Sequence, residues 1–313
     1  MLNFLLRRGL ATAPVLLIVA VIVFLLLRMT PGDPAAAIAG DGASVQDIER
    51  IRAQLGLDAP VVSQFFGWLG HVLRGDLGYS YFYKMSVTEL IQQRLEPTLS
   101  VAAATVVLTV LIAVPLGVLA ASRSGGRLDR FIMSASVLGF SVPVFVAGYL
   151  MIWLFSMQLG WLPSQGYNRI AEGVGPWLRN LALPCITLAV MYAALIARVT
   201  RAAVSEALTE DYVRTARAKG IPEWRMLTRH ALANAAVPIA TIIGLSVAGL
   251  ISGVVVTETI YAIPGLGQLT VDAVLSRDYP LIQGITLFFS LIYVVVNLMV
   301  DLSYLLLDPR IRY

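Results

Sequence analysis

SEALTEDYVRTARAKGIPEWRMLTRHALANAAVP, Ser205 to Pro238, decides how the rest of the sequence is read. It lies between two long apolar runs and carries Arg214, Arg217, Lys219, Arg225 and Arg229. Its first half reads as a helix, with Glu210 one turn before Arg214 as a favourable i,i+4 ion pair. Gly220 stands where a residue beyond a helix end turns left-handed, and Pro222 suits the first position of a second helix. Glu223 near the start of that helix, and Arg229 with His230 near its end, agree with the helix dipole. The charges hold this helix, tight turn and short helix outside the bilayer. A loop this stiff between two membrane spans is built to be pushed by something else.

The surrounding composition is that of a polytopic membrane protein. Apolar residues make up 58% of the 313 and charged residues 13%, with a mean hydropathy of +0.79, against roughly 45–50% apolar in soluble domains. The single cysteine, Cys185, sits inside an apolar run, so no disulfide framework forms within the chain, and it reads as a packing residue. The net charge of +4 is modest and bears on membrane orientation rather than on nucleic acid.

Six apolar runs are long enough to span: Leu10–Leu27, Leu99–Ala121, Phe131–Phe155, Leu181–Ala197, Val237–Val256 and Leu281–Leu307. Pro115, Pro143 and Pro184 fall within three of them and mark helices that bend. The first run is preceded by Arg7 and Arg8 and exceeds the usual length of a signal-peptide core, so a retained span with a cytoplasmic N-terminus is expected. Alternating sides from there puts Arg7, Arg8, Arg123, Arg127, Arg130, Arg198, Arg201, the five basic residues of the opening stretch, Arg310 and Arg312 inside. These are fourteen of the 23 basic residues, while about twelve of the nineteen acidic ones fall outside. Both termini and the basic stretch then face the cytoplasm.

Between Thr30 and Pro97 the character changes. PGDP at 31–34 breaks the first helix, and Ser44 opens an amphipathic helix with Val45, Ile48, Ile51 and Leu55 on one face, Gly56 capping it and Pro60 beyond. Trp68, Tyr79, Tyr81 and Tyr83 suit a surface close to lipid headgroups. The region is too short for a large catalytic domain. In the fifth run, Gly244, Ala248, Gly249, Ser252 and Gly253 form a small-residue face, packing within the chain or against a second subunit. TETIYAIPGLGQLTVDAVLSRDYP at 257–280 reads as a polar, turn-rich segment at the outer surface, where Glu258 and Asp278 either pair with Arg277 or a partner's cations, or are solvated.

Catalysis finds little support. His71 and His230 fall on opposite sides of the predicted membrane, and no Cys/His ligand spacing exists. The only lysines, Lys84 and Lys219, follow Tyr83 and Ala218, so the phosphate loop GxxxxGK[ST] is absent and the chain does not hydrolyse ATP by itself. An ion-coupled secondary transporter would want ionisable residues at mid-membrane. Here Glu258 and Asp301 lie near span ends, within reach of water or a partner. A non-transporting scaffold remains open on composition.

Arg214-Thr215-Ala216, three further residues and then Gly220 resemble the EAA loop of type I ABC importer permeases, with Arg214 in place of the acidic first residue and Ala233 where proline often stands. PGDP (31–34), LGLD (55–58), RGDLGYS (74–80), DYVRTARAKG (211–220), TETIYAIPGLG (257–267), RDYPLIQG (277–284) and DPRIRY (308–313) resemble the dipeptide/oligopeptide/nickel permeases, end to end and in order. The long segment after the first span further resembles the first permease of the pair in such systems. The resemblance implies an all-α, six-span type I importer fold: a first helix and extracytoplasmic segment over 1–97, a five-helix core over 98–307 with its coupling loop at 205–235, and a tail over 308–313. It implies a multi-pass subunit of a bacterial inner membrane. Its partners would be a second homologous permease, two ABC ATPase subunits that hold the ATP and magnesium, an extracytoplasmic substrate-binding protein and membrane lipid. No catalytic residue, cofactor, metal or nucleic acid is implied for this chain. Arg214, Thr215, Ala216, Lys219, Gly220, Pro222, Glu223 and Arg225 would couple it to the ATPase. Ser141, Tyr192, Thr241, Ser246 and Glu258 are candidates to face the pathway; each hydroxyl in that set equally suits a helix carbonyl. Peptides are the first substrate reading, with nickel, glutathione or another small solute as alternatives.

Overall fold

The computed structural model describes residues 2–29, 35–36, 42–54 and 58–307. PGDP at 31–34, Asp41, Leu55 with the Gly56 cap, the tail 308–313 with Arg310 and Arg312, and the side chains of Arg7 and Arg8 lie outside the described residues. The helices are α1 (Leu2–Met29), α2 (Val45–Gln54), α3 (Val61–Leu73), α4 (Val87–Ser122), α5 (Arg127–Ser141), α6 (Val144–Met151), α7 (Val174–Ala207), α8 (Asp211–Ala218), α9 (Glu223–Arg225), α10 (Leu232–Asn234), α11 (Ala236–Ile260), α12 (Leu266–Leu275) and α13 (Tyr279–Leu307). Two residues each from β1 (Tyr79–Ser80) and β2 (Met85–Ser86) pair antiparallel. The chain divides into two compact units, one of residues 1–96 and 268–295, the other of 97–267 and 296–313.

In the first unit, α2 begins where the sequence places it. Ser44 Oγ accepts the Asp47 amide (3.2 Å) and donates to Asp47 Oδ2 (2.6 Å). That hydroxyl holds the Asp47 carboxyl below the usual carboxylate range. Ile48 and Ile51 are half-buried, but Val45 is exposed, so the apolar face is narrower than its spacing predicts. Asp278 is buried rather than solvated. It receives the Ser80 hydroxyl, and Ser80 in turn accepts the Tyr83 amide (3.0 Å). Its carbonyl accepts from Ile282 (2.9 Å), which makes it the residue that opens α13. RGDLGYS and RDYP, far apart in sequence, thus meet at one helix start.

In the second unit, α7 is central. Two-thirds of its apolar window is buried (67%), against 28% for α4 and 33% for α11. Leu181, Leu183, Leu188 and Tyr192 of α7 form a core with Val101 of α4, Leu250 and Val254 of α11, and Tyr261 and Ile263 beyond it. Cys185 is buried in the same core, as a packing residue should be. The small face of α11 packs within the chain: a Cβ on Gly244 would lie 2.2 Å from Val300, and those on Gly249 and Gly253 would touch the Tyr192 hydroxyl at 3.3 and 3.4 Å. Of the three prolines, Pro115 and Pro184 sit inside continuous helices. Pro143 does not. Its ring forces Val142 into extended backbone (φ −80°, ψ 123°), and α5 meets α6 and the π-turns after it at 100°. The run Phe131–Phe155 is therefore two helical segments bent sharply at Pro143, not one continuous helix. Among the described residues, four helices, α4, α7, α11 and α13, are long and apolar enough to cross a membrane, and five segments are if the bent pair counts as one.

Glu258 departs from expectation. It is fully buried, out of reach of water, because the turn after α11 folds back over its carboxylate. Thr98 Oγ1 donates to Oε1 (2.6 Å), the Gly267 amide donates to Oε2 (2.7 Å), and Thr98 also accepts the Leu266 amide (2.8 Å). A Cβ on Gly265 would lie 2.2 Å from Oε1. The backbone of Gly265 is not left-handed, so Gly265→Ala tests the contact alone. Displacing a buried acceptor from its donors costs about 1–3 kcal/mol. Gly265→Ala is expected to lower the unfolding midpoint in detergent, and further displacing the contact by Gly265→Val should lower it more. An unchanged midpoint in both would show that the carboxylate is not held there.

Candidate functional site

The elbow is built from α8, α9, α10 and the turn between α8 and α9. Glu210 caps α8 through its carbonyl, which accepts from Val213 (3.0 Å) and Arg214 (3.4 Å). The predicted Glu210–Arg214 ion pair is replaced by Asp211–Arg214 (3.5 Å, i,i+3), because Glu210 lies outside the helix in extended backbone. α8 stops as its sequence dictates. The Ile221 amide reaches back to the Ala216 carbonyl (3.2 Å) and the Gly220 amide to that of Arg217 (2.9 Å), which closes a Schellman turn. Gly220 adopts φ +74° in open space: a Cβ there meets nothing within 4 Å, so glycine is required by backbone conformation alone.

Pro222 is the cap of the second helix, not its first residue; Glu223 holds that position. The reason is its ψ of 141°, extended backbone whose carbonyl still accepts from Arg225 (2.9 Å) and Met226 (3.1 Å). The helix then widens into π-turns over Met226–Ala231 before α10. Arg217 Nε donates to Glu223 Oε1 (3.1 Å) and ties the two arms across the turn. Val213, Ala216 and Met226 are buried on the inner side of the elbow. Ala216 was expected among the docking residues; with 6% exposure it shapes the elbow from within. Arg214, Thr215, Lys219, Gly220, Pro222, Glu223 and Arg225 are exposed.

Two aromatic rings join them on the surface. Trp224 is 62% exposed, with the Arg225 guanidinium 5.2 Å from its ring centre. Tyr212 is 37% exposed. Partial burial, then the nearby Glu210 charge, pushes its hydroxyl above the usual tyrosine value. Tryptophan, tyrosine and arginine are the residue types in which interface binding energy concentrates.

The elbow is rooted in helix ends. Ala231 and Ala235 pack with Ala121 at the end of α4, Val204 and Ala207 at the end of α7, and Ile239 at the start of α11. Two turns before the end of α7, Arg201 donates from Nε and a terminal nitrogen to the two oxygens of Asp129 on α5 (2.8 and 2.7 Å). The Gly125 amide adds a third donor at 2.9 Å. The Asp129 side chain is 4% exposed. Sequence reasoning missed this clamp. The signal available was a lone acid among Arg123, Arg127 and Arg130.

The span hydroxyls are dispersed. Ser141 bonds the Val137 carbonyl (2.7 Å), Ser246 that of Ile242 (2.7 Å) and Thr241 that of Val237 (2.8 Å). Thr241 also receives the Tyr304 hydroxyl (3.0 Å). Tyr192 and Ser246 border one cavity of about 10 Å³, room for a single water at most. Glu258 joins none of them; it is enclosed by Thr98 and the 262–267 turn. Among the described residues no cluster of three or more His, Cys, Asp or Glu side chains is arranged to hold a metal.

The profile described as "Binding-protein-dependent transport system inner membrane component" matches residues 113–313, and that of "Binding-prot-dependent transport system membrane comp, N-term" matches 1–102. A probable peptide ABC transporter permease of Sinorhizobium fredii is 52% identical over 310 residues, 99% of each chain. A putative peptide transport system permease of Brucella abortus is 44% identical over the full length of both chains. The glutathione transport system permease GsiC of Escherichia coli is 42% identical, again over both full lengths. Among solved structures, a chain of the MetNI methionine ABC transporter in inward-facing conformations aligns with a TM-score of 0.60 at 17% identity, covering 70% of this chain and 96% of that one. Its likeness bears on the fold. The elbow, the long apolar helices and these matches agree: the chain belongs to the inner-membrane components of binding-protein-dependent transport systems.

Proposed function

We propose that the chain is one of two permease halves of an ATP-driven importer of di- or oligopeptides. The second half is a homologous permease, two ABC ATPases hold ATP and magnesium, and an extracytoplasmic binding protein delivers the substrate. Six spans place both termini and the elbow in the cytoplasm, α1 and the broken α5–α6 segment counting as one span each. One observation carries the reading: a closed two-helix elbow with exposed Tyr212, Trp224 and Arg225, whose base is packed between the ends of α4, α7 and α11. When the ATPases close on ATP, a groove on one of them carries the elbow with it. The packed base then moves the helix ends and opens the pathway outward, and hydrolysis resets it. Arg214, Lys219 and Arg225 meet acidic groups on the ATPase, while Thr215, Gly220, Pro222 and Glu223 hold the elbow in shape. Ser141 and Thr241 face the pathway, Tyr192 and Ser246, buried where α7 packs on α11, support its wall from behind, and Glu258 fixes the end of α11.

Peptides are favoured by the named activity of the Sinorhizobium and Brucella relatives. Glutathione, itself a tripeptide, is the second reading, favoured by the full-length match to GsiC. Reconstituting both permeases, the ATPases and the binding protein in vesicles separates them. Labelled dipeptide uptake that needs ATP and the binding protein is the expected result. Uptake driven by an ion gradient without ATP would overturn the reading.

Gly220→Pro removes both the left-handed residue and the amide that bonds Arg217. It is expected to abolish uptake and substrate-stimulated ATP hydrolysis in assembled complexes. Gly220→Ala, which costs about 1–2 kcal/mol in a left-handed position, should leave a partial activity. Undiminished coupling in the proline variant would count against the elbow. Asp129→Asn takes one charge from the Arg201 clamp, with an expected loss of about 2 kcal/mol of stability and a fall in the ATP-to-transport coupling ratio. Normal stability and coupling would show that the clamp is dispensable.

A further inference from the structure

Helix α3, VVSQFFGWLGHVL, is apolar almost all round and has no buried residue. Val61, Val62, Phe66 and Leu73 are 49%, 68%, 64% and 80% exposed. Its polar side chains turn back on the chain: Ser63 Oγ donates to the Pro60 carbonyl (2.7 Å), Gln64 Nε2 to that of Ala59 (2.6 Å), and His71 meets Asp76 (3.1 Å). On its inner side, Phe65 and Trp68 pack on Phe24 of α1, with ring centres at 5.2 and 5.5 Å. The face of α1 leading up to Phe24 is itself exposed and apolar through Val15, Leu17, Ile18, Val21 and Ile22. Charged residues resume directly after α3, at Arg74 and Asp76.

We infer that α3 is an interfacial helix that lies in the lipid headgroup–acyl boundary, its outer face immersed in lipid. Exposure and length bear on where the helix lies, and continuity with α1 chooses lipid as its occupant. Water is disfavoured because Val61, Val62, Phe66 and Leu73 leave an apolar outer face uncovered, which solvent does not favour. A spanning role is disfavoured by length: 13 residues reach about 20 Å, short of the roughly 30 Å hydrocarbon core. Continuity with the exposed apolar face of α1, through the Phe24 cluster, makes the two surfaces one lipid-facing patch, with Trp68 at the depth where indole rings concentrate. The helix then anchors the segment between α1 and α4 to the bilayer surface. This inference holds for any membrane-embedded form of the chain and does not depend on the transported solute.

The test uses nitroxide labels on Val62→Cys and Phe66→Cys, in the full chain assembled with its partner permease in lipid nanodiscs, with Cys185 replaced by alanine. Arg50→Cys on α2 is the aqueous reference. Dissolved oxygen should relax the labels at 62 and 66 several-fold more than a water-soluble nickel chelate does, with the ratio inverted at 50. Access for the nickel chelate at 62 and 66 would overturn the inference in favour of water. Exclusion of both reagents would overturn it in favour of a protein partner. The wild-type chain gives an independent measure: photoactivatable phosphatidylcholine in native membranes should leave adducts on the 61–73 peptide and none on 45–54. Adducts on 99–121 without any on 61–73 would also overturn it.

Discussion

The rest of the structure depends on a contact between small side chains. Ala231 and Ala235 at the base of the elbow meet Ala121, Val204 and Ala207, all 0–7% exposed, where three long helices end. Small residues let backbones approach closely, and close-packed interiors do not deform continuously under load. Under the proposed function, a displacement at the elbow would therefore move helix ends instead of being absorbed by side chains changing rotamer. A leucine or phenylalanine in place of either alanine would fill the same space with atoms that rotate. The elbow's stiffness comes from elsewhere, from backbone bonds at the Schellman turn and the Arg217–Glu223 bridge. That bridge joins exposed groups and contributes at most about 1 kcal/mol, so the turn is the dominant of the two.

Two of the three buried carboxylates among the described residues, Asp129 and Glu258, complete this frame, and both follow the rule that buried charge must be hydrogen-bonded or paired. Asp129 meets a guanidinium in bidentate geometry plus a backbone amide, and it links α5 to the last turns of α7. Glu258 receives a hydroxyl and an amide at the end of α11. Such groups add little net stability over apolar packing, but a misplaced helix would strand them without donors. They fix register between helices whose apolar faces would slide with small penalty. In lipid, where Val, Ile and Leu are as comfortable against acyl chains as against each other, that specification matters more than it would in water.

What was legible in the sequence was what local physics determines. The elbow, its stop at Gly220, the Ser44 start of α2 and the apolar runs rest on interactions a few residues apart. Within a turn of a boundary the reading slipped. Glu210 and Pro222 are caps rather than helical residues, because one extended ψ angle at each moves the helix start by a position. Pro143 marks a bend in the sequence, but proline alone does not announce that the two segments turn by 100°. The long-range partners were illegible: Arg201 and Asp129 are 72 residues apart, and Thr98 and Glu258 are 160 apart. Nothing in composition marks Glu258 as enclosed, since the residues that enclose it are two glycines and a threonine.

The span hydroxyls bear on how an importer of varied peptides would choose its cargo. Ser141, Thr241 and Ser246 each donate to the carbonyl four residues back, so each side chain completes its own helix instead of presenting a free donor. A peptide carries an amide donor and acceptor at every residue but side chains of every chemistry. A wall that held it through fixed hydroxyl bonds would favour one sequence and retain it. Were they to face the pathway as proposed, self-satisfied hydroxyls would offer weak contacts that differ little from one peptide to the next, and weak contacts permit release. Under the proposed function, discrimination then falls to the binding protein outside. The chain's own residues are invested in register and motion, as the buried carboxylates and the small-residue base of the elbow are.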